Sequence, residues 1–175
     1  MMALSGMDNY FALFQLPEQY DVDLLKLSEQ YRELQRVVHP DRFVNASAQE
    51  SLLAQQKATL INDAYHVLRD DLRRAQYLLQ LKDVDCLQDR VCDPMFLMEQ
   101  MELREELEAV SASHDLDRLS VLFSRAQQLQ LACKEQLRVH FSSPDDLQAA
   151  CDDVFKLQFL NKLCEEAEQL EDSLY

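Results

Sequence analysis

The chain has 175 residues, of which 47% are hydrophobic, so it is long and apolar enough to bury the core of one domain or of two small ones. Its single glycine, Gly6, argues against β-rich folds with tight hairpins and against Rossmann or P-loop phosphate sites, and therefore predicts an all-α fold. Lys and Arg number 17 against 32 Asp and Glu, and the net charge of −15 argues against nucleic acid or an anionic membrane surface as the main partner.

Two helices are predicted before residue 39. Asp8 is expected to cap a short helix that ends at Phe14, because Asp is a favoured N-cap residue. Asp21 or Asp23 then opens a longer helix. Its apolar residues recur at alternating spacings of three and four, which predicts one stripe packed against a partner helix: Leu24, Leu27, Tyr31, Leu34 and Val38.

Two further helices and a linker are predicted before the middle of the chain. Ser47 and Glu50 have the spacing of a capping box, which opens a long third helix. A short helix follows over residues 72–81. Residues 82–93 carry no sustained helical stripe and are predicted to be a linker, so the first domain is expected to span residues 8–81.

The rest of the chain is predicted to be a three-helix bundle over residues 94–175. Pro94 suits the first turn of a helix, with Asp93 as its N-cap. Short connections separate three helical segments and predict antiparallel neighbours: 94–112, 116–141 and 145–173. The net charge is −2 up to Lys82 and −13 after it, which indicates two functional units.

The cysteines and histidines predict no chemistry of their own. The five cysteines form neither a C-x-x-C pair nor an even framework, and no signal peptide is evident, so reduced and mostly buried thiols of a cytoplasmic protein are expected: Cys86, Cys92, Cys133, Cys151 and Cys164. The four histidines are scattered without metal-ligand spacing. We therefore predict no catalytic residue, no metal and no cofactor, and a protein that is not an enzyme.

The segment His39-Pro40-Asp41 points most directly to a function. Pro40 fixes a bend and biases His39 towards an extended conformation, so the loop presents an imidazole and a carboxylate in a restricted geometry. Such a loop loses little conformational entropy on binding. The predicted role is docking onto another protein, with nearby basic residues meeting an acidic partner surface: Arg32, Arg36 and Arg42.

The motifs around this loop resemble the J-domain of DnaJ-type co-chaperones. They are the tripeptide between two helices, the segment Ile61-Asn62-Asp63-Ala64-Tyr65-His66-Val67-Leu68 and the segment Arg73-Arg74-Ala75-Gln76-Tyr77. The resemblance covers about residues 8–80. It implies that this part of the chain activates the ATPase of a DnaK-type chaperone through His39, Pro40 and Asp41.

Segments along the whole chain indicate which group of J-domain co-chaperones the sequence resembles. With a single glycine, the chain has no Gly/Phe-rich region. It also lacks C-x-x-C pairs, which both the zinc domain of DnaJ and the N-terminal zinc-binding extension of eukaryotic relatives contain. Three segments are instead similar to the bacterial form of the HscB family: residues 9–14, 96–106 and 156–163. This resemblance implies an L-shaped two-domain co-chaperone of iron–sulfur cluster assembly, whose J-domain serves the chaperone HscA and whose bundle delivers the scaffold protein IscU.

A helical wheel of the first bundle helix indicates a binding face independently. At about 100° per residue, the expected core stripe gathers on one side: Phe96, Leu103, Leu107 and Val110. An apolar trio with flanking carboxylates gathers opposite: Leu97, Met98, Met101, Glu102 and Glu105. Such a face is typical of a binding patch, and the alternative is a second core contact. The family resemblance implies that this face, together with Phe159, binds the scaffold, and that Ala109 replaces a carboxylate which relatives can carry.

Two alternatives stay open at this point. A J-domain protein with a different client would share the first domain and differ only in what the bundle binds. A metal- or cluster-binding protein would use its cysteines, against which the missing C-x-x-C pairs argue.

Overall fold

The computed structural model describes residues 9–39, 41, 47–86 and 93–174, and all regular secondary structure in these ranges is helical. Seven α-helices follow one another within these described ranges: α1 Tyr10–Leu13, α2 Leu24–Val38, α3 Ala48–Arg69, α4 Asp71–Leu81, α5 Pro94–Ser113, α6 Leu116–His140 and α7 Leu147–Leu174. A 3-10 turn, Pro144–Asp146, precedes α7. The prediction of an all-α fold is confirmed. No helix in the described ranges is long and apolar enough to span a bilayer.

The chain forms two compact units, Met1–Leu78 and Leu79–Tyr175. The division falls inside α4, so the last turn of this helix belongs to the second unit. The domain limits predicted from the sequence, at residues 81 and 94, stay predictions.

Polar caps define where the helices of the first unit begin. Asp8 lies outside the described residues, and its predicted role is wrong because Asn9 is the N-cap of α1, accepting the N–H of Phe11 at 2.9 Å. Asp23, one of the two predicted candidates, caps α2. The predicted capping box of α3 is confirmed, since the Ser47 and Glu50 side chains each accept the other's backbone N–H.

The apolar stripe of α2 packs against α3 for most of its length. Leu27 and Val38 are buried, and the two residues between them on the stripe are half-buried. Leu24, however, is 46% exposed, which corrects its prediction as part of the packed stripe. One turn later, Ser28 already faces Tyr65 near the end of α3, so Leu24 lies level with the last turn of that helix, where few apolar side chains remain to cover it.

Three of the described residues take the left-handed backbone conformation that glycine usually supplies. They lie where α1, α4 and α5 end: Gln15 at φ 53°, Asp83 at φ 53° and His114 at φ 55°. A chain with one glycine therefore still ends these helices sharply, with a small conformational cost at each position.

A buried arginine connects three parts of the first unit. Arg74 is 4% exposed, and its guanidinium donates to the carbonyl oxygens of Tyr20 and Leu68, both at 2.7 Å. It also pairs with Asp71 and lies 5.0 Å from the centre of the Tyr20 ring. Because Arg carries several donors in a rigid plane, one side chain satisfies carbonyls at the end of α3 and in the segment between α1 and α2.

We expect Arg74→Met to destabilise the first unit by about 2–5 kcal/mol, because two buried carbonyl oxygens would lose a donor and Asp71 would lose its ion pair with Arg74. Arg73→Met is the matched control, since the Arg73 side chain is exposed and its loss is expected to change stability by about 0.5 kcal/mol or less. Urea unfolding of the full chain measures both. Equal midpoints for the two variants would contradict this role of Arg74.

The second unit is a bundle of α5, α6 and α7 around an apolar core. The fully buried side chains include leucines from all three helices: Leu103, Leu122, Leu137, Leu157 and Leu163. Asp93 caps α5 through the N–H of Met95, with Pro94 in the first turn as predicted. The connections between the helices are short, as expected for a three-helix bundle.

A disulfide closes this unit and corrects the expectation that all five cysteines are reduced thiols. Cys86, just after α4, is bonded to Cys151 in α7 across 65 residues. Cys133 and Cys164 are buried free thiols, as expected, and Cys92 lies outside the described residues. Sequence spacing did not indicate this pair, because only the folded bundle brings the two positions together, with Cα atoms 5.3 Å apart.

Reduction of this disulfide is expected to destabilise the second unit by about 4 kcal/mol, since the closed loop restricts the unfolded chain. Guanidinium unfolding with and without a reducing agent measures the difference. The Cys86→Ser variant is the control and should unfold at the same denaturant concentration in both conditions. Identical curves for the unaltered chain would mean that the two thiols are not paired in solution.

Candidate functional site

The loop after α2 holds two of the predicted docking residues side by side. His39 follows the last residue of α2 in an extended conformation, with φ −59° and ψ 133°. Its Nδ1 accepts the backbone N–H of Asp41 at 3.3 Å and lies 3.5 Å from the Asp41 carboxylate. When Nδ1 accepts this bond, the proton of the neutral ring is on Nε2. The side chains of His39 and Asp41 are 57% and 86% exposed, so both groups are accessible to a partner.

The basic residues predicted around this loop lie partly within the described structure. Arg32 and Arg36 are exposed on α2, one helical turn apart. Pro40 and Arg42 lie outside the described residues. The described part of the site therefore combines two guanidinium groups on the second half of α2 with an imidazole and a carboxylate just after the helix.

A polar clamp holds the two helices that flank the loop. The Asn62 side-chain oxygen on α3 accepts two hydrogen bonds from α2, from the Tyr31 hydroxyl at 2.9 Å and from Gln35 Nε2 at 2.6 Å. The rings of Tyr31 and Tyr65 stack with their centres 4.1 Å apart. These contacts fix α2 against α3 and thereby hold the helix that ends at His39. Asn62 belongs to a motif of the J-domain resemblance, but its sequence neighbours do not indicate this role.

The first bundle helix exposes the face that the wheel predicts. Leu97, Met98 and Met101 are 43%, 59% and 63% exposed, and Glu102 and Glu105 beside them are also exposed. On the opposite side the predicted core residues Leu103, Leu107 and Val110 are buried and Phe96 is half-buried. Exposure of the trio argues against the alternative of a second core contact.

Phe159 lies at the edge of this face, where α5 meets α7. It is half-buried and packs edge-on against Phe96, with ring centres 6.1 Å apart. The Arg104 guanidinium lies 5.6 Å from the centre of the Phe159 ring and pairs with Glu166 of α7. Phe159 is therefore held from both sides while part of its ring stays accessible. Ala109 is exposed on the same helix as the trio.

A buried polar cluster in the bundle was not predicted. His140 Nδ1 lies 2.7 Å from the Asp153 carboxylate, and the Cys133 thiol donates to the Asp153 carbonyl oxygen at 3.1 Å. Burial raises the pKa of Asp153, although the His140 hydrogen bond opposes this shift. Burial also raises the pKa of the Cys133 thiol to about 12. The thiol is therefore protonated at neutral pH and is not a nucleophile.

The described residues offer no other obvious chemistry. No group of three or more His, Cys, Asp or Glu side chains in the described ranges is placed to hold a metal ion.

Comparison with known proteins finds one matching family in the first half of the chain and one in the second half. Residues 9–77 match the family described as the DnaJ domain, and residues 92–168 match the HSCB C-terminal oligomerisation domain. A co-chaperone protein HscB homolog from Vibrio cholerae (strain M66-2) is 47% identical over 169 residues, which cover 95% of this chain and 98% of the relative. The chain belongs to the HscB family of co-chaperones.

Other HscB proteins share the sequence and the fold. The homolog from Photobacterium profundum is 44% identical, over 95% of this chain and 99% of its own. The solved structure of chaperone HscB from Vibrio cholerae has a TM-score of 0.85 at 45% identity, over 95% of this chain and 99% of that one. The crystal structure of human co-chaperone protein HscB has a TM-score of 0.86 at 28% identity, over 97% and 85%.

Membership in the HscB family confirms the predicted class of function. The chain is a bacterial-type co-chaperone with a J-domain, and it is not an enzyme. The J-domain implies a chaperone of the Hsp70 class as partner.

Proposed function

We propose that the J-domain stimulates the ATPase of the DnaK-type chaperone HscA while the bundle binds the scaffold protein IscU and delivers it to HscA. The chain would thereby couple client capture to ATP hydrolysis in iron–sulfur cluster biogenesis. The observation that carries this proposal is the presence of two exposed surfaces in one HscB-family chain: the His39–Asp41 loop in the first unit and the Leu97, Met98 and Met101 trio in the second.

The chaperone-binding residues are proposed to be the loop and the basic groups beside it: His39, Pro40, Asp41, Arg32, Arg36 and Arg42. The guanidinium groups steer an acidic partner surface and set its orientation. The loop then supplies the specific contact through an imidazole donor and a carboxylate acceptor that the backbone already holds together. Hydrolysis itself takes place in the chaperone, so this chain contributes binding energy and no catalytic group.

The client-binding residues are proposed to be Leu97, Met98, Met101, Glu102, Glu105 and Phe159. The apolar trio and the accessible part of Phe159 supply area that leaves water on binding, and the two methionines adapt their shape to the partner. The carboxylates at the margin favour one orientation of the client over others.

The functional domains follow from this division of labour. We assign residues 8–81 to the J-domain, 82–93 to a linker and 94–175 to the client-binding bundle. The bacterial cytoplasm is the proposed place of action. Relatives from two bacterial species at 44–47% identity support the bacterial part of this assignment. In that reducing compartment we expect the Cys86–Cys151 pair to be largely reduced.

The experiment is a steady-state ATPase assay of purified HscA with the full chain, IscU, or both, together with calorimetry of the chain and IscU. We expect the chain alone to raise the rate of ATP hydrolysis and IscU to raise it further. Stimulation without IscU binding would favour a J-domain protein with another client. No stimulation of HscA under any condition would overturn the proposal.

A further inference from the structure

The bundle carries a groove of about 450 Å³ beside the exposed face of α5. All three long helices of the unit contribute to its walls, with Met98, Glu99 and Glu102 from α5, Leu129 from α6, and Asp153 and Lys156 from α7. Met98 and Glu102 also belong to the proposed client-binding face. The groove is therefore continuous with that face, and a client bound there reaches its opening.

Among the charged groups that line the groove, carboxylates outnumber cations. Four carboxylates and one ammonium group line it: Asp93, Glu99, Glu102, Asp153 and Lys156. Two of the carboxylates are already engaged, because Asp93 caps α5 and Asp153 is bonded to His140. The Lys156 ammonium lies 5.5 Å from the centre of the Phe96 ring.

Glu99 and Glu102 are the two carboxylates that remain for a ligand. Neither forms an ion pair with any residue in the described ranges. Glu99 is half-buried at the groove, whereas Glu102 is exposed at the border with the client-binding face. Both lie beside apolar walls that include Met98 and Leu129.

We propose that this groove receives a lysine or arginine side chain of the bound IscU, whose cationic head pairs with Glu99 and Glu102. The inference rests on the proposed function and adds a specificity element to it. Lys and Arg side chains have aliphatic stems that pack on apolar surface while the charged head meets carboxylates. Met98 and Leu129 provide that surface, and the two glutamates provide the acceptors.

An apolar side chain of the client would be a less favourable occupant of the groove. It would remove water from Glu99 without giving the carboxylate a partner, and an uncompensated carboxylate is costly to desolvate. A cation avoids this cost and also fixes which way the client lies on α5. Charge complementarity therefore favours a basic occupant over a leucine or phenylalanine.

Calorimetry of full-length variants with purified IscU tests the proposal. We expect Glu99→Lys to weaken binding about tenfold and Glu99→Gln about threefold, with a weaker dependence of affinity on salt in both. Glu168→Lys is the matched control. Glu168 is exposed on α7, 12 residues or about 18 Å along the helix beyond Lys156, and this variant should bind IscU like the unaltered chain.

A charge-swap series identifies the occupant. Each lysine and arginine of IscU is changed singly to Glu, and we expect one such change to restore affinity for Glu99→Lys while weakening binding to the unaltered chain. Unchanged affinity of Glu99→Lys, or tighter binding by Glu99→Leu, would overturn the basic occupant while IscU binding itself stands. Failure of the unaltered chain to bind IscU would overturn the proposed function and this inference together.

Discussion

Replacing Asp41 by Asn is expected to remove most of the stimulation of the HscA ATPase while leaving the fold intact. The Asp41 side chain is 86% exposed, so the fold does not depend on packing around it. The change removes the negative charge and one of the acceptor oxygens, and it keeps the volume of the side chain. A charge-assisted contact with the chaperone would be lost, and such bonds are about twice as strong as neutral ones.

The matched control for this variant is Glu29→Gln. Glu29 is also exposed in the first unit, and its change removes the same charge on α2 away from the loop. We expect it to stimulate the ATPase normally, and circular dichroism should show unchanged helix content in both variants. Binding of IscU by calorimetry should be unaffected, because the proposed client-binding face lies in the other unit. Full stimulation by a folded Asp41→Asn protein would contradict the docking role.

The helices and the exposed face of α5 could be predicted because both depend on local patterns. The spacing of apolar residues determines which side of α5 is buried, and Leu103 and Met101 fall on opposite sides as the wheel requires. Caps are equally local, as the reciprocal bonds of Ser47 and Glu50 illustrate. The error at Leu24 arose where the apolar pattern of α2 reaches the last turn of the partner helix.

Features that depend on residues far apart in the sequence could not be predicted. The sequence around Arg74 gives no sign that this charged side chain is buried, and only the carbonyls of Tyr20 and Leu68 explain its burial. Cys86 and Cys151 are 65 residues apart, and spacing alone does not pair them. Asn62 and the Asp153 cluster likewise acquire their roles from neighbours on other helices. The roles of these residues depend on tertiary contacts, and the local sequence does not indicate which residues make such contacts.

The second large effect is expected when Leu97, Met98 and Met101 are changed together to Ala. An interface anchor that is truncated to Ala costs about 1–4 kcal/mol of binding free energy. Because such losses are not strictly additive, we expect the dissociation constant for IscU to rise at least about a hundredfold, which corresponds to about 3 kcal/mol. Stimulation of the HscA ATPase without client should survive, since the His39–Asp41 loop is unchanged.

Stability distinguishes a binding face from a core contact in the same preparation. A buried residue of this size costs about 2–5 kcal/mol of folding free energy when truncated, whereas an exposed one costs about 0.5 kcal/mol or less. The trio is 43–63% exposed, so the thermal unfolding midpoint of the triple Ala variant should differ from that of the unaltered chain by only a few degrees. A matched triple variant changes exposed apolar residues of α6 to Ala: Val121, Leu131 and Val139, which are 66%, 63% and 58% exposed.

The two triple variants remove exposed apolar side chains from the same bundle, so they differ mainly in the helix that is altered. If apolar area anywhere on the bundle sufficed for IscU, both would lose affinity. We expect the α5 variant alone to do so, because on α5 the exposed apolar trio has two exposed carboxylates beside it, and Phe159 packs against Phe96 of the same helix. A large fall in the melting temperature of the α5 variant would instead place the trio in the core and move the client-binding face elsewhere.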